Sequence, residues 1–308
     1  MAKPVTLRIM EIQRFALHDG PGIRTTVFLK GCPLKCPWCA NPESCSTEKQ
    51  LMYFSNKCVS CGECIKTCAS GAIKAAENPG SEIFGRPVFA RNSCTACENC
   101  AKRCPKEAIV FSGRDITPED ILDEVMKDSE YYKHTGGGLT VSGGEPFKQA
   151  DALNTLLSLA GNKGLHTAVE TCGHVKPSDF KSSLENIDLL LFDLKHDNAE
   201  ILKKVTAGDL NLILDNLTCA VKSGREVIAR IPVIPGFNCD QKTLTGLLKL
   251  TQQNGVSEAH LLPFHLLGKN KYEQLGIPYI WDYTSLDKDQ VRSILGNTDS
   301  LAIKIKIF

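Results

Sequence analysis

The sequence lacks the marks of a membrane, secreted or nucleic-acid-binding protein. No apolar run approaches the roughly 20 residues that a membrane-crossing helix needs. Met1-Ala2-Lys3-Pro4 leads straight into alternating strand-like residues without a signal-peptide core, so the chain is expected in the cytoplasm. Lys and Arg (36) nearly balance Asp and Glu (35), and a formal net charge of +1 gives no electrostatic pull toward nucleic acid or an anionic membrane. Nor is there a nucleophile–His–acid arrangement of the kind acyl transfer requires. What remains is ordinary for a globular protein, 42% hydrophobic and 23% charged. A length of 308 residues suffices for one large domain, or a core with a smaller insertion.

Cysteine breaks the pattern. There are 15, and 11 of them form three tight groups between Cys32 and Cys104. In a large chain without a secretory signal, cysteines two residues apart suit metal clusters better than disulfides. Cys58, Cys61, Cys64 and Cys68 form a C-x2-C-x2-C-x3-C run, which Cys94, Cys97, Cys100 and Cys104 repeat. Pro105 follows the second run, Ala69 the first. Such paired runs hold two four-iron cubanes, the fourth cysteine of each run ligating the other run's cluster. One cluster would take Cys58, Cys61, Cys64 and Cys104, the other Cys94, Cys97, Cys100 and Cys68. Structural zinc is the alternative, but its cysteine pairs usually stand further apart along the chain.

Cys32, Cys36 and Cys39 are spaced differently, C-x3-C-x2-C, with no fourth cysteine at a matching distance. Three thiolates on a four-iron cluster leave one iron open for a substrate to coordinate. With Cys45 as a fourth ligand the cluster would instead be closed, fit for electron transfer alone. Otherwise Cys45, Cys172, Cys219 and Cys239 read as ordinary free thiols.

Strand-like stretches run from Val5 to Ile12 and from Thr25 to Lys30, around the turn from His18 to Arg24. After the cysteine-dense segment, Thr117-Pro118-Glu119-Asp120 reads as a helix N-cap with Pro at the first helical position. Further strands are expected at Leu139 to Ser142, His166 to Thr171, Leu189 to Lys195, Val227 to Val233, Ala259 to Phe264 and Leu301 to Phe308. Helices such as Asp209 to Ser223 and Leu244 to Asn254 lie between them. This alternation makes an α/β protein with a parallel sheet, either open or rolled into a complete or partial barrel. Its chemistry belongs at the C-terminal ends of the strands. Gly143-Gly144-Glu145-Pro146, Glu170, Asp193, Lys195, Arg230 and His265 all fall there. Taken singly, each has a plainer reading: Gly143-Gly144 as a loop, Asp193 and Lys195 as a salt bridge on one strand face, Arg230 and His265 as satisfied polar residues.

At the cysteine triplet the chain resembles the radical S-adenosylmethionine (SAM) enzymes. More narrowly it resembles the glycyl radical enzyme activating enzymes, the group that includes pyruvate formate-lyase activase. Asp19-Gly20-Pro21-Gly22-Ile23-Arg24, the triplet, Asn41-Pro42-Glu43, Ser142-Gly143-Gly144-Glu145-Pro146, Asp193-Leu194-Lys195-His196, Arg230-Ile231-Pro232 and Leu262-Pro263-Phe264-His265 occur in that family's order. The resemblance spans nearly the whole chain. It implies a partial (β/α)6 barrel made of residues 1–50 and 113–308, with a ferredoxin-like two-cluster insertion at residues 51–112. It further implies three 4Fe-4S clusters, one of them binding SAM. The activity implied is reductive cleavage of SAM to a 5′-deoxyadenosyl radical, which takes hydrogen from a glycine Cα of a partner enzyme. The protein partners would be that glycyl radical enzyme and a ferredoxin or flavodoxin as electron donor.

Carried onto this sequence, the resemblance assigns Cys32, Cys36 and Cys39 to the catalytic cluster. It places Gly143, Gly144 and Glu145 at the SAM amino group, Lys195 at its carboxylate, and Arg230 and His265 on the nucleoside and carboxylate side. Glu170, Thr171 and Asp193 match a site that holds a monovalent cation in some relatives, where Asp often replaces Glu170. Asp19 and Arg24 match the loop that meets the partner's glycine-bearing peptide. Leu202 and Ala207 depart from the family pattern, which favours His and Gly there. Two rival readings exist: a radical SAM enzyme acting on a small molecule or peptide, and a polyferredoxin-like carrier. The first usually carries its extra cysteines near the C-terminus, and the second needs no βα core after Ser112.

Overall fold

The apolar runs on either side of the cysteine-dense segment assemble into one sheet. In the computed structural model, which describes residues 4–76, 85–298 and 301–308, β1 (Leu7–Ala16) and β2 (Arg24–Leu29) pair antiparallel. Met1-Ala2-Lys3 and residues 77–84 of the insertion lie outside the described residues. The insertion contributes β3 (Gln50–Tyr53), β4 (Ile73–Ala75), β5 (Pro87–Phe89) and β6 (Ile109–Ser112), and β7 (Arg114–Ile116) follows it. Then come β8 (Gly138–Gly143), β9 (His166–Thr171), β10 (Leu189–Asp193), β11 (Glu226–Val233), β12 (Glu258–Pro263) and β13 (Lys304–Ile307). The sheet order is β13-β12-β11-β10-β9-β8-β2-β1-β7, with β2 and β8 through β13 parallel.

Two five-residue helices, α1 (Glu63–Thr67) and α2 (Asn99–Arg103), sit in the insertion. The core helices are α3 (Pro118–Met126), α4 (Ser129–Thr135), α5 (Ala150–Asn162), α6 (Pro177–Lys181), α7 (Ala199–Thr206), α8 (Leu210–Lys222), α9 (Gln241–Gln253), α10 (Lys269–Leu275) and α11 (Lys288–Leu295). Helix α3 starts as its sequence implies: Thr117 caps it by accepting from the Asp120 amide at 3.2 Å, with Pro118 at the first position. Covered by helices on one face and lining the interior on the other, the central parallel strands bury most of their side chains, whereas the edge strand β13 does not. Leu189-Leu190-Leu191-Phe192 is buried throughout.

The sheet is curled but not closed. Its edges, β13 and β7, do not pair with each other among the described residues, which removes the complete-barrel option. Yet Arg230 on β11 donates to the His18 carbonyl, 3.1 Å away in the β1–β2 turn, and the His18 ring lies 5.7 Å from that of Phe308. The strand positions on either side of the gap are thus brought together across the interior, as in a partial barrel.

The insertion is bracketed by its own ends. β3 and β6 pair antiparallel from Gln50↔Ser112 to Tyr53↔Ile109, and β4 pairs with β5. Leu51, Ile73, Cys100 and Ile109 form a separate small core. The two cysteine runs repeat at an offset of 36 residues, and backbone geometry repeats with them. Positive φ occurs at Ser60 and Ala96, at Gly62 and Glu98, and at Gly71 and Glu107. Where the second copy lacks glycine, each left-handed residue costs about 1 kcal/mol.

Candidate active site at the open end of the barrel

The C-terminal ends of the strands gather most of the expected residues around one cavity. The loop after β2 carries Cys32, Cys36 and Cys39. Cys36 and Cys39 line a cavity of about 210 Å³ together with Glu170, Asp193, Lys195 and His265. Trp38, Pro232, Ile234 and Phe264 supply apolar wall. The cysteine loop is held by residues distant in sequence. Trp38 packs on Phe237 and Trp281, with ring centroids 4.5 and 5.1 Å away. Tyr272 of α10 donates to the Cys39 carbonyl at 3.0 Å. Its neighbour Lys271 donates to Asn41 at 2.8 Å and to Glu43 at 2.6 Å, which explains the Asn-Pro-Glu motif. These second-half residues leave no spacing signal in the sequence, because each meets the loop from more than 190 positions away.

Burial sets the electrostatics. Cys36, deprived of water, has its thiol pKa pushed up to about 12. Lys195 donates to Asp193 at 2.7 Å. Burial alone would depress the Lys195 pKa, but the Asp193 carboxylate outweighs it and keeps the ammonium charged. Glu170 accepts from Ser142 at 2.5 Å and forms an ion pair with Arg230 at 3.3 Å. The Arg230 Nε is buried without an aligned hydrogen bond, so the contact is one of charge. Arg230 therefore braces Glu170 and the β1–β2 turn instead of lining the cavity. Asp19 accepts from Thr26 at 2.7 Å, and its carboxyl pKa is raised, first by burial and then by the Glu170 charge. His265 lines the cavity, its pKa lowered by burial.

Three expectations change on contact with the geometry. Glu145 is fully buried, and its carboxylate accepts from the Thr171 hydroxyl (2.8 Å) and the Cys172 amide (2.8 Å), away from the cavity. Thr171 is thereby turned from the group expected around a cation. The glycines have a backbone reason of their own: a Cβ on Gly143 would meet the Leu29 amide at 2.3 Å, and one on Gly144 the Gly31 carbonyl at 2.4 Å. Arg24 is the firmest correction. Expected at the partner peptide, it is wholly buried at the N-terminal ends of the strands, donating to Thr140 and Leu139 at 2.5 Å each and to His166 at 3.2 Å. A side chain with no exposed atoms does not meet another protein. Leu202 is buried, and Ala207 ends α7 at φ +62, the conformation in which the family's Gly is free and Ala costs about 1 kcal/mol.

The supposedly ordinary thiols are not all remote. Cys45 stands against Cys39, and Cys172 against Cys32. Cys45 is the residue the sequence offered as a possible fourth ligand, whereas the position of Cys172 carries no sequence signal.

In the insertion the cysteines separate as the crossed-ligand rule requires. Cys58, Cys61, Cys64 and Cys104 line one hollow; Cys68, Cys94, Cys97 and Cys100 line another. Each hollow thus draws three cysteines from one run and the fourth from the other, a donor set that fits a cubane. Among the described residues no three His, Cys, Asp or Glu side chains converge as they would on a single ion.

Comparison with known proteins agrees with this geometry. Residues 88–245 match the family described as Radical SAM superfamily, and residues 57–108 match the 4Fe-4S dicluster domain. The isethionate sulfite-lyase activating enzyme of Nitratidesulfovibrio vulgaris is 39% identical over 92% of both chains. The choline trimethylamine-lyase activating enzyme of Oleidesulfovibrio alaskensis is 35% identical, covering 89% of this chain and 87% of its own. The trans-4-hydroxy-L-proline dehydratase activating enzyme of Clostridioides difficile is 37% identical over 87% of each. Identity at this level over 87–92% of the chain leaves no room for the carrier reading: the chain belongs to the radical SAM superfamily and, within it, to the activating enzymes of glycyl radical enzymes.

Proposed function

We propose that Cys32, Cys36 and Cys39 hold the catalytic cluster, that the insertion holds two more, and that the cavity beside Cys36 receives SAM for activation of a glycyl radical enzyme partner. The convergence of Cys36, Cys39, Asp193, Lys195, Glu170 and His265 on one cavity carries this reading. When bound, the cluster and SAM supply a one-electron cleavage to methionine and a 5′-deoxyadenosyl radical, which takes a hydrogen atom from a glycine Cα. The chain's own residues bind and orient. Lys195 keeps two ammonium protons beyond the one given to Asp193, and these suit the SAM carboxylate. Gly143 and Gly144 bring bare backbone beside the cysteine loop, suited to the amino group, while Glu145 locks that backbone from behind. His265 and the wall of Pro232, Ile234 and Phe264 fit the nucleoside and exclude water.

Glu170 and Asp193 are already balanced by Arg230 and Lys195, so we assign charge balance to these two basic residues and not to a monovalent cation. Asp19, beside Glu170 in the curled turn, remains our candidate for the partner's peptide. The crossed hollows suit a relay from a ferredoxin or flavodoxin, in the cytoplasm, where thiols stay reduced. No helix among the described residues is long and apolar enough to cross a membrane.

Anaerobic EPR of the reduced protein with SAM and candidate glycyl radical enzymes tests the assignment. A glycyl doublet that needs both SAM and Cys36 is expected. 5′-Deoxyadenosine without a doublet would mean a different partner, and neither product in fully loaded protein would sink the assignment of the cavity.

A further inference from the structure

Two buried hydroxyls of the insertion, those of Tyr53 and Ser112, find no hydrogen-bond partner among the described residues, and of the two Tyr53 is the one that lines a cysteine-ringed hollow. The Tyr53 hydroxyl, at the end of β3, is buried and has no hydrogen-bond partner among the described residues, although a buried hydroxyl without one is costly. Tyr53 lines the hollow ringed by Cys58, Cys61, Cys64 and Cys104. A phenol hydroxyl is protonated across the neutral range and is therefore a hydrogen-bond donor. Cys58 is the neighbour with which the hydroxyl interacts, and as a thiolate ligand its sulfur would be a stronger acceptor than as a thiol.

The 36-residue repeat supplies an internal comparison. The residue equivalent to Tyr53 is Phe89, which lines the other hollow and packs against Tyr53 at a tilt of 49° with centroids 5.0 Å apart. Two aromatic rings thus occupy equivalent places against two cysteine rings, and one of them has a hydroxyl. Packing alone would be served by Phe in both. The second hollow has a donor of another kind, the exposed Ser70 hydroxyl 3.6 Å from Cys68.

We propose that Tyr53 is a tuning residue: its hydroxyl donates to the Cys58 sulfur of the cluster bound by Cys58, Cys61, Cys64 and Cys104, and raises that cluster's reduction potential. Hydrogen bonds to ligand sulfur stabilise the more negative, reduced cluster, which is one of the ways a protein sets the potential. The inference rests on the two-cluster reading of the insertion. Its effect on catalysis is indirect, through the ease with which an electron from the external donor enters the insertion.

The test is an EPR-monitored redox titration of the fully loaded enzyme and of Tyr53→Phe, with signals assigned by Cys61→Ser and Cys97→Ser. Tyr53→Phe is expected to lower the reduced-to-oxidised ratio of its own cluster about tenfold at fixed potential, a shift of about 59 mV for one electron. The other cluster's midpoint should not move. Unchanged midpoints in Tyr53→Phe with full iron and sulfide would overturn the proposal and leave the two-cluster reading intact. Loss of iron from that hollow would make Tyr53 a structural support and overturn it as well. An insertion that binds no iron in the unaltered protein would end both.

Discussion

Lys195 donates to Asp193 across 2.7 Å, and the pair lies against Cys36 with little of either side chain exposed. Two charges taken from water together are tolerable; one alone is not. Lys195→Met is therefore expected to weaken SAM binding at least tenfold and to destabilise the fold by about 3 kcal/mol, since Asp193 is left unpaired. Calorimetric SAM titration and thermal unfolding measure the two effects. Because the lysine pKa is raised, its contribution is complete below the unfolded value of about 10.4 and is lost only as pH rises through the folded one. SAM affinity should accordingly show no lysine titration through the neutral range. Affinity unaltered in Lys195→Met would remove the carboxylate role.

The crossed arrangement of the insertion makes a prediction against sequence proximity. Cys68 belongs to the first run but faces the hollow of the second. Cys68→Ala should abolish the same EPR signal as Cys97→Ala, and Cys104→Ala the same one as Cys61→Ala. Signals that instead group by run would show uncrossed clusters.

Arg24 is expected to matter for folding and not for partner recognition. Lysine in its place leaves buried carbonyls of β8 and β9 without donors, at a cost of about 2 kcal/mol. Arg24→Lys should lower the melting temperature while the folded fraction binds the partner enzyme with unchanged affinity. A selective loss of partner binding at undiminished stability would restore the peptide-contact role.

Glu258 ties the edge strand β13 to β12. Burial alone would raise its pKa, but Lys304 (2.8 Å), Lys306 (2.6 Å) and His260 (2.8 Å) outweigh it and draw the value down to about 2. A carboxylate so depressed stabilises above its unfolded pKa of about 4.3 and ceases to as pH falls through the folded value. Hydrogen exchange at β13 amides should therefore accelerate between about pH 4.3 and 2, and Glu258→Gln should exchange fast at every pH. Equal rates in the two proteins at neutral pH would count against this clamp.

Residues with a local signature were legible in the sequence. The strands after residue 112 announced themselves as short apolar runs, Thr117-Pro118 as a cap, and the two cysteine sets expected from the runs are those that line the two hollows. What escaped was set by distance or by backbone. Tyr272, Lys271 and Trp281 reach the cysteine loop only through the fold. The five-residue helices α1 and α2 are too short for any periodicity to register. Motif likeness located Arg24 and Glu145 correctly along the chain but not their side chains, because a motif records position and not which way a residue faces. Both turned inward, where Arg24 meets strand-end carbonyls and Glu145 the Thr171 hydroxyl.

The pairing of β3 with β6 has a consequence for how such a chain arises. Gln50 and Ser112 are partners in register, so the backbone leaves the barrel and returns to it one strand spacing apart. Nothing in the parallel sheet crosses that gap, and the small core of Leu51, Ile73, Cys100 and Ile109 is separate from the barrel's own. The two cysteine-lined hollows thus sit on a segment that leaves and rejoins the barrel at one place, held to it there and through Arg91 to the Gln274 carbonyl. A short turn bridging the Gln50–Ser112 gap would leave the barrel's strand order undisturbed, so ancestry could add or shed this insertion without redrawing the sheet.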